Sequence, residues 1–430
     1  MMPFAYSDTK ASSRVSPILY FLILGYIISL FIKNAPLISN GFILLILVFA
    51  FISNSPKNYL QKLLEQKINL GMVAFFVVQL ISVFISADKA SGFNILSLRL
   101  PLFILPLAFC LIDFEEKTWN NILLFYILAT AVASLAGFGY GAFLAITENN
   151  SAFYYNDNIS QLLLGKQAAY FGLYINVAIL SIVYLFGNMK IKGKSAKGLL
   201  IGAIIWLVFI NYMLASKMST ISLIVILLGL AFIRIIRRKK VLEGLILVFA
   251  LAISTVVLAK LFPKPIERFK TLTQTGFRFD NTNSENSLDD KFDANKWSSG
   301  STRIALWTCG KEVFLKYPVI GTGLGDVRNV LKEKYTDKNF LYALNTNKNL
   351  HCQYLDIAVS MGVIGLIIFL FTFFFYPIKT FIMHQQDFAI SIFIIIGLCL
   401  LTENMFDRYQ GEELIAFILP FSIKIFNRKA

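Results

Sequence analysis

Long apolar runs separated by short polar breaks make up most of the chain, and in one place, Phe262 to Leu350, the break widens into a whole polar segment. A helix needs about 20 apolar residues to cross a hydrocarbon core about 30 Å thick. By that measure about twelve spans begin near Pro17, Gly41, Leu70, Gly92, Trp119, Gln167, Gly198, Met218, Val241, Gln353, Phe388 and Gly411, the second and eleventh being short. Lipid offers no partner to backbone N–H and C=O groups, so the expected fold is an all-α, polytopic transmembrane bundle. Three regions follow: spans one to nine in 1–261, a large exterior loop in 262–350, and three closing spans in 351–430. The apolar stretch after Arg14 lacks a small-residue cleavage site and is followed by further spans, so it reads as a span and not as a cleavable signal.

Within the large loop the pattern changes twice. Gln274–Trp297 is rich in Asn, Asp, Ser and Thr, which predicts an irregular segment. From Arg303 to Tyr317 the positions Ile304, Leu306, Trp307, Val313 and Phe314 predict an amphipathic helix. Ser301 or Thr302 would cap it, Pro318 would stop it, and it would lie on the membrane surface with Arg303 at its start. A second exterior loop, Glu148–Lys166, is polar and aromatic. No internal repeat is visible, and the break between the sixth and seventh spans is short. That asymmetry argues against a transporter of two equal halves, in which a central linker is expected.

Composition then narrows the class. With 57% hydrophobic residues and a mean hydropathy of +0.67, the chain is excluded from the soluble globules. Its formal charge of +15 is unevenly spread. Nineteen lysines and arginines, from Lys10 to Lys429, fall on one side of the predicted spans; the other side's short loops hold Lys33, Lys89, Lys166, Lys217 and Arg408. The basic side is expected to be cytoplasmic, with both termini inside and the large loop outside. The charge therefore reads as a topology signal and an attraction to anionic lipid, with no nucleic-acid partner. Of the four cysteines, Cys110 and Cys399 sit in apolar spans as packing residues. Cys309 and Cys352 face the exterior, where a bridge is permitted but two cysteines do not establish one.

Candidate chemistry gathers on the exterior side. His351 is one of two histidines, the other being His384 in a short cytoplasmic loop. An imidazole with its ordinary pKa near 6.5 is largely neutral there and can take a proton from a hydroxyl. Arg303 offers the bidentate positive charge that an anionic leaving group needs, and Trp307 stands one helical turn away. Arg99, in Leu98-Arg99-Leu100-Pro101, is expected one to two turns inside the fourth span, where an arginine costs roughly 2.5–3.5 kcal/mol at the centre and less near an end. It either snorkels to the interface or faces inward to hold an anion. Lys217, among Ser216, Ser219 and Thr220, and Lys166, followed by Tyr170 and Tyr174, are further candidates for anion contact. Glu403, Asp407 and Arg408 crowd the exterior end of the last two spans, as an internal salt bridge or as a wall for sugar hydroxyls. Asp289, Asp290 and Asp293 read as a solvated run. Gly321-Thr-Gly323-Leu-Gly325 reads as a turn, because no βαβ pattern surrounds it. Gly362 and Gly365 are expected to admit a neighbouring helix.

Taken together, the Arg303–Trp307 segment, the turn Pro318-Val-Ile-Gly321-Thr-Gly323-Leu-Gly325, and His351-Cys352 with nine residues before Gly362-Val-Ile-Gly365 resemble the O-antigen ligase and O-antigen polymerase superfamily of bacterial inner-membrane glycosyltransferases. Two positions depart from its pattern. Cys352 stands where ligases carry Asn, Ser or Gln, and Lys217 stands where members carry the arginine of a Ser-Arg pair. The resemblance implies a metal-independent transferase of the GT-C type, needing no cofactor. It would take a glycan from undecaprenyl diphosphate at the outer face and attach it to lipid A–core or, in a polymerase, to another lipid-linked repeat; relatives use protein serine or threonine. His351 would be base or hydroxyl-orienting group. Arg303, Lys217, Arg99 and Lys166 would meet the diphosphate, and Glu403, Asp407, Arg408 and Trp307 the acceptor glycan. A lipid or solute transporter and a membrane scaffold are the readings from other classes.

Overall fold

The computed structural model describes residues 16–54, 59–188, 194–236, 239–270, 275–281 and 296–429. In chain order its α-helices are α1 (Pro17–Ser29), α2 (Pro36–Ile52), α3 (Tyr59–Glu65), α4 (Lys67–Ile85), α5 (Lys89–Leu98), α6 (Pro101–Leu111), α7 (Glu116–Thr147), α8 (Asp157–Leu164), α9 (Ala168–Asn188) and α10 (Lys194–Met213). They continue as α11 (Lys217–Ile236), α12 (Val241–Leu261), α13 (Lys264–Lys270), α14 (Ser299–Lys316), α15 (Val327–Asp337), α16 (Leu341–Asn345), α17 (Gln353–Leu370), α18 (Tyr376–Met383), α19 (Asp387–Cys399) and α20 (Tyr409–Lys429). A π-helical turn, Phe371–Phe375, joins α17 to α18. The all-α expectation is borne out among the described residues. The acidic run Asp289–Asp293, most of Gln274–Trp297, and the basic residues Lys10, Arg14, Lys57, Lys190, Lys192, Arg237 and Arg238 lie outside them.

Local sequence sets the ends of these helices. Proline occupies the first turn of α1, α2 and α6, where its missing N–H costs nothing. Pro101 also divides the fourth apolar run, since it cannot donate to the carbonyl four residues back. The two halves, α5 and α6, meet at 42°. Arg99 therefore stands at a break between two helices, not inside a continuous span as expected.

Among the described residues, seven helices are long and apolar enough to cross a membrane, or eight if the bent pair counts as one span. The expected number was about twelve. Helices α1, α2 and α19 are apolar but run 13, 17 and 13 residues, short of the ~20 that a perpendicular crossing needs. Toward the rim, α12 leans on α11 through Gly244, where an added Cβ would lie 2.9 Å from the Ala231 carbonyl oxygen. Its outer side shows Leu242, Phe249 and Ile253 largely exposed, as suits a surface solvated by lipid tails.

Residues 296–350 build a second, smaller core. Trp297, Leu306, Val313, Leu331, Tyr335 and Phe340 are buried together and pack against Val83, Ile95 and Val359 from the membrane helices. Helix α14 is capped by Ser298, whose side chain accepts from the Ser301 N–H while Ser301 returns a bond to the Ser298 backbone. The cap is thus three residues upstream of the expected Ser301, and Arg303 sits one turn inside the helix. The α14 face of Ala305, Leu306, Cys309 and Gly310 is buried against protein, and a Cβ on Gly310 would meet Leu350 and Leu355 at 2.8 Å.

The segment after α14 is seated in a broken helix. At Gly362, with φ of 65°, the backbone of α17 leaves helical geometry. The turn Pro318–Gly325 fills the gap and satisfies the groups so released. Thr322 and Gly323 N–H donate to the Val359 and Ser360 carbonyls at 2.9 Å each, and Val363 N–H donates to Pro318 at 2.8 Å. A Cβ on Gly362 would lie 2.1 Å from the Val319 carbonyl oxygen, and one on Gly321 2.4 Å from the Met361 nitrogen. Gly362 was expected to admit a neighbouring helix; it admits this turn instead, at Val319 and Ile320. On the far side Asp326 accepts from Ala87 and Asp88 N–H at 2.7 and 2.8 Å, tying the turn to the start of α5.

Candidate functional site

Three chain segments meet where residues 296–350 cover the bundle. The loop Leu400–Arg408 is stitched to the start of α17: Cys352 N–H donates to Asn404 Oδ1 at 2.7 Å, Gln353 N–H to the Leu400 carbonyl at 2.9 Å, and Phe406 N–H to Gln353 Oε1 at 3.0 Å. Helix α14 brings the third segment. This framework fixes His351, whose φ of 47° is left-handed, a conformation that costs roughly 1–2 kcal/mol outside glycine. Such strain persists only where surroundings over-determine it. Here the Trp307 indole N–H donates to the Leu350 carbonyl at 3.1 Å, immediately before the histidine.

Glu403 lies between the histidine and the arginine. Its Oε2 is 3.3 Å from His351 Nδ1, and its Oε1 accepts from Arg303 Nη2 at 2.9 Å. Arg303 is held further by the Ser299 carbonyl (3.1 Å) and the Thr402 carbonyl (3.3 Å). Burial alone would raise the Glu403 carboxyl, but the hydrogen bond from His351 and the charge of Arg303 outweigh it and hold it below the ordinary glutamate value. A carboxylate on Nδ1 fixes the neutral imidazole with its proton on that nitrogen. The lone pair of Nε2 is then available to a hydroxyl proton.

His351, Glu403, Arg303 and Trp307 line a cavity of ≈ 460 Å³. Lys217, Arg268 and Lys348 line it as well, so four permanent cations face two carboxylates, Glu403 and Asp157. Lys217 opens α11 and donates to Ser299 Oγ; Arg268 of α13 donates to Asn156 Oδ1. The buried hydroxyls of Thr302 and Thr402, also on this wall, have no hydrogen-bond partner in the structure. A space with a clamped imidazole and fixed cations can hold an anionic group beside a proton acceptor.

Of the residues expected from sequence, His351, Arg303, Lys217, Trp307 and Glu403 meet in this cavity, and Glu403 touches the histidine itself. Arg99, Asp407 and Arg408 line a second cavity of ≈ 380 Å³. Arg99 is fully buried there, 2.6 Å from Asp407 and 3.5 Å from Asp356, with Gln79 Oε1 accepting at 2.7 Å. It neither snorkels nor joins the first cavity, because two carboxylates hold its guanidinium inside. Lys166 belongs to neither; its ammonium lies over the Tyr174 and Tyr409 rings, at 5.1 and 5.7 Å. Burial lowers its pKa to about 8. Cys309 and Cys352 are both free thiols. Sequence reasoning missed Arg268 and Lys348, which lie in polar stretches with no spacing to mark them.

No curated protein matches the chain. Residues 202–370 match the family model described as O-antigen ligase, a stretch that carries Lys217, Arg303, the 318–325 turn, His351 and Gly362. The resemblance of this membrane protein to the O-antigen ligase and polymerase superfamily is thereby borne out.

Proposed function

We propose that the chain is a glycosyltransferase of the exterior face of the bacterial inner membrane, moving a glycan from undecaprenyl diphosphate to a hydroxyl of lipid A–core. The observation that carries this reading is the contact of Glu403 with both His351 and Arg303 in one cation-lined cavity. In the reaction the bond from the anomeric carbon to the diphosphate oxygen breaks, and a bond to the acceptor oxygen forms. The acceptor's proton passes to Nε2 of His351, and Glu403 stabilises the imidazolium so made. The diphosphate departs with the bonding pair. Charge then grows on its oxygens, where Arg303, Lys217, Arg268 and Lys348 supply fixed positive charge. Stabilisation that grows along the reaction in this way accelerates the chemical step.

Cys352, standing where ligases carry Asn, Ser or Gln, favours a second reading: a polymerase that joins one lipid-linked repeat to another with the same groups. Deleting the gene separates the two. Full-length glycan stranded on the polyprenyl carrier is expected for the ligase, and lipid A–core bearing a single repeat for the polymerase. A normal glycan profile after deletion overturns both.

A further inference from the structure

The second cavity is built for charge and lacks a role in the chemistry above. It adjoins the first, since Lys348 lines both. Asp356 and Asp407 are its two carboxylates, and both are within ion-pair distance of Arg99. Arg328, Lys332, Lys348 and Arg408 add four cations around the same space. Arg328, Lys332 and Arg408 make no ion pair among the described residues. Among the described residues, Nε of Arg99, a fully buried residue of the lining, has no hydrogen-bond partner. A buried donor without a partner costs about 1–3 kcal/mol, more when it is charged. Like charges lining a concave surface also focus their field into it. Asn347 and Asn349 complete the lining with amides that can bond to an anion or to sugar hydroxyls.

We propose that this second cavity is an anion subsite for the acceptor, holding a phosphate or carboxylate that the acceptor glycan carries. The inference rests on the transferase reading. It assigns the anion to the acceptor on geometric grounds. The donor's diphosphate must lie at the reacting carbon, and the imidazole that serves that carbon lines the first cavity and not the second. A group held in the second cavity is therefore remote from the bond being made. It sets which acceptor enters and how its hydroxyl is presented, as remote contacts do.

The test uses the full chain in lipid nanodiscs and three probes: lipid A–core, the same lipid dephosphorylated, and the same lipid with its carboxyl groups reduced to alcohols. Wild-type protein should bind one modified probe at least tenfold more weakly, which identifies the group recognised. Arg328→Glu/Lys332→Glu, both on exposed positions of α15, should weaken binding of the unmodified lipid by a similar factor. Lys311→Glu, at an exposed position of α14 outside both cavities, should leave it within about threefold. Equal binding of all three probes, or undiminished binding by the double variant, overturns the subsite. Failure of the transferase reading looks different: wild-type protein binds the lipid but moves no glycan to it from a polyprenyl diphosphate.

Discussion

At the scale of single residues, the arrangement turns on one carboxylate serving both a guanidinium and an imidazole. Removing the imidazole altogether should be most damaging, so His351→Ala is expected to lower transfer by roughly 10²–10⁴-fold, the usual range for a general base. Glu403→Gln keeps a polar group of the same shape and should cost less, about tenfold to a hundredfold in kcat with KM little changed, because the imidazole loses its charged partner only as it gains the proton. Steady-state transfer with purified protein checks both. The same carboxylate gives a pH dependence of stability. Its folded pKa lies below its unfolded value of about 4.3. The contribution is therefore full above that unfolded value and is lost as pH falls through the lower folded value. Thermal unfolding followed downward from pH 5 should show a loss for wild type that Glu403→Gln does not share. A difference in the opposite direction would mean that burial, not the pairing, governs Glu403.

At the scale of elements, the decisive fit is between a broken helix and the turn it accommodates. Gly362→Ala adds a Cβ 2.1 Å from the Val319 carbonyl and places a side chain at φ 65°. Steric overlap of about 1–3 kcal/mol and left-handed strain of about 1–2 kcal/mol act together. Folded protein should fall sharply, and the melting temperature of what remains should drop. Gly198→Ala, with nothing within 4 Å of its added Cβ, should behave as wild type. Removal of the α14 cap by Ser298→Ala should cost about 1 kcal/mol. The pattern of apolar runs was enough to anticipate these elements in kind: eleven of the twelve expected span starts fall within a helix, and Gln167 stands immediately before α9. It could not anticipate the break at Arg99, because a proline in an apolar run reads as a kink or as a stop. The cap at Ser298 was also out of reach, since four hydroxyl residues, Ser298, Ser299, Ser301 and Thr302, compete for that position.

For the whole molecule, the functional groups come from α11, α13, α14, the start of α17 and the loop before α20, more than a hundred and eighty positions apart from Lys217 to Glu403. Sequence singled out His351 and Arg303 by scarcity and by motif, and both belong to the cavity. The partnership with Glu403 was hidden because it is a tertiary contact across 52 residues, with no local periodicity to betray it. Arg99 looked like a ligand for the same reason it is a tether: a buried cation needs anions, and sequence alone cannot say whether a substrate or the protein supplies them. In cells, His351→Ala and Arg303→Ala should each abolish surface glycan while the protein stays at wild-type level in the membrane, as immunoblotting of both will show. Glycan retained in both variants would refute the assignment.

The seating of residues 318–325 in α17 also limits how residues 296–350 can move over the helices beneath them. Lifting that end would strip several main-chain groups of their partners at once, so it behaves as a rivet and not as a hinge.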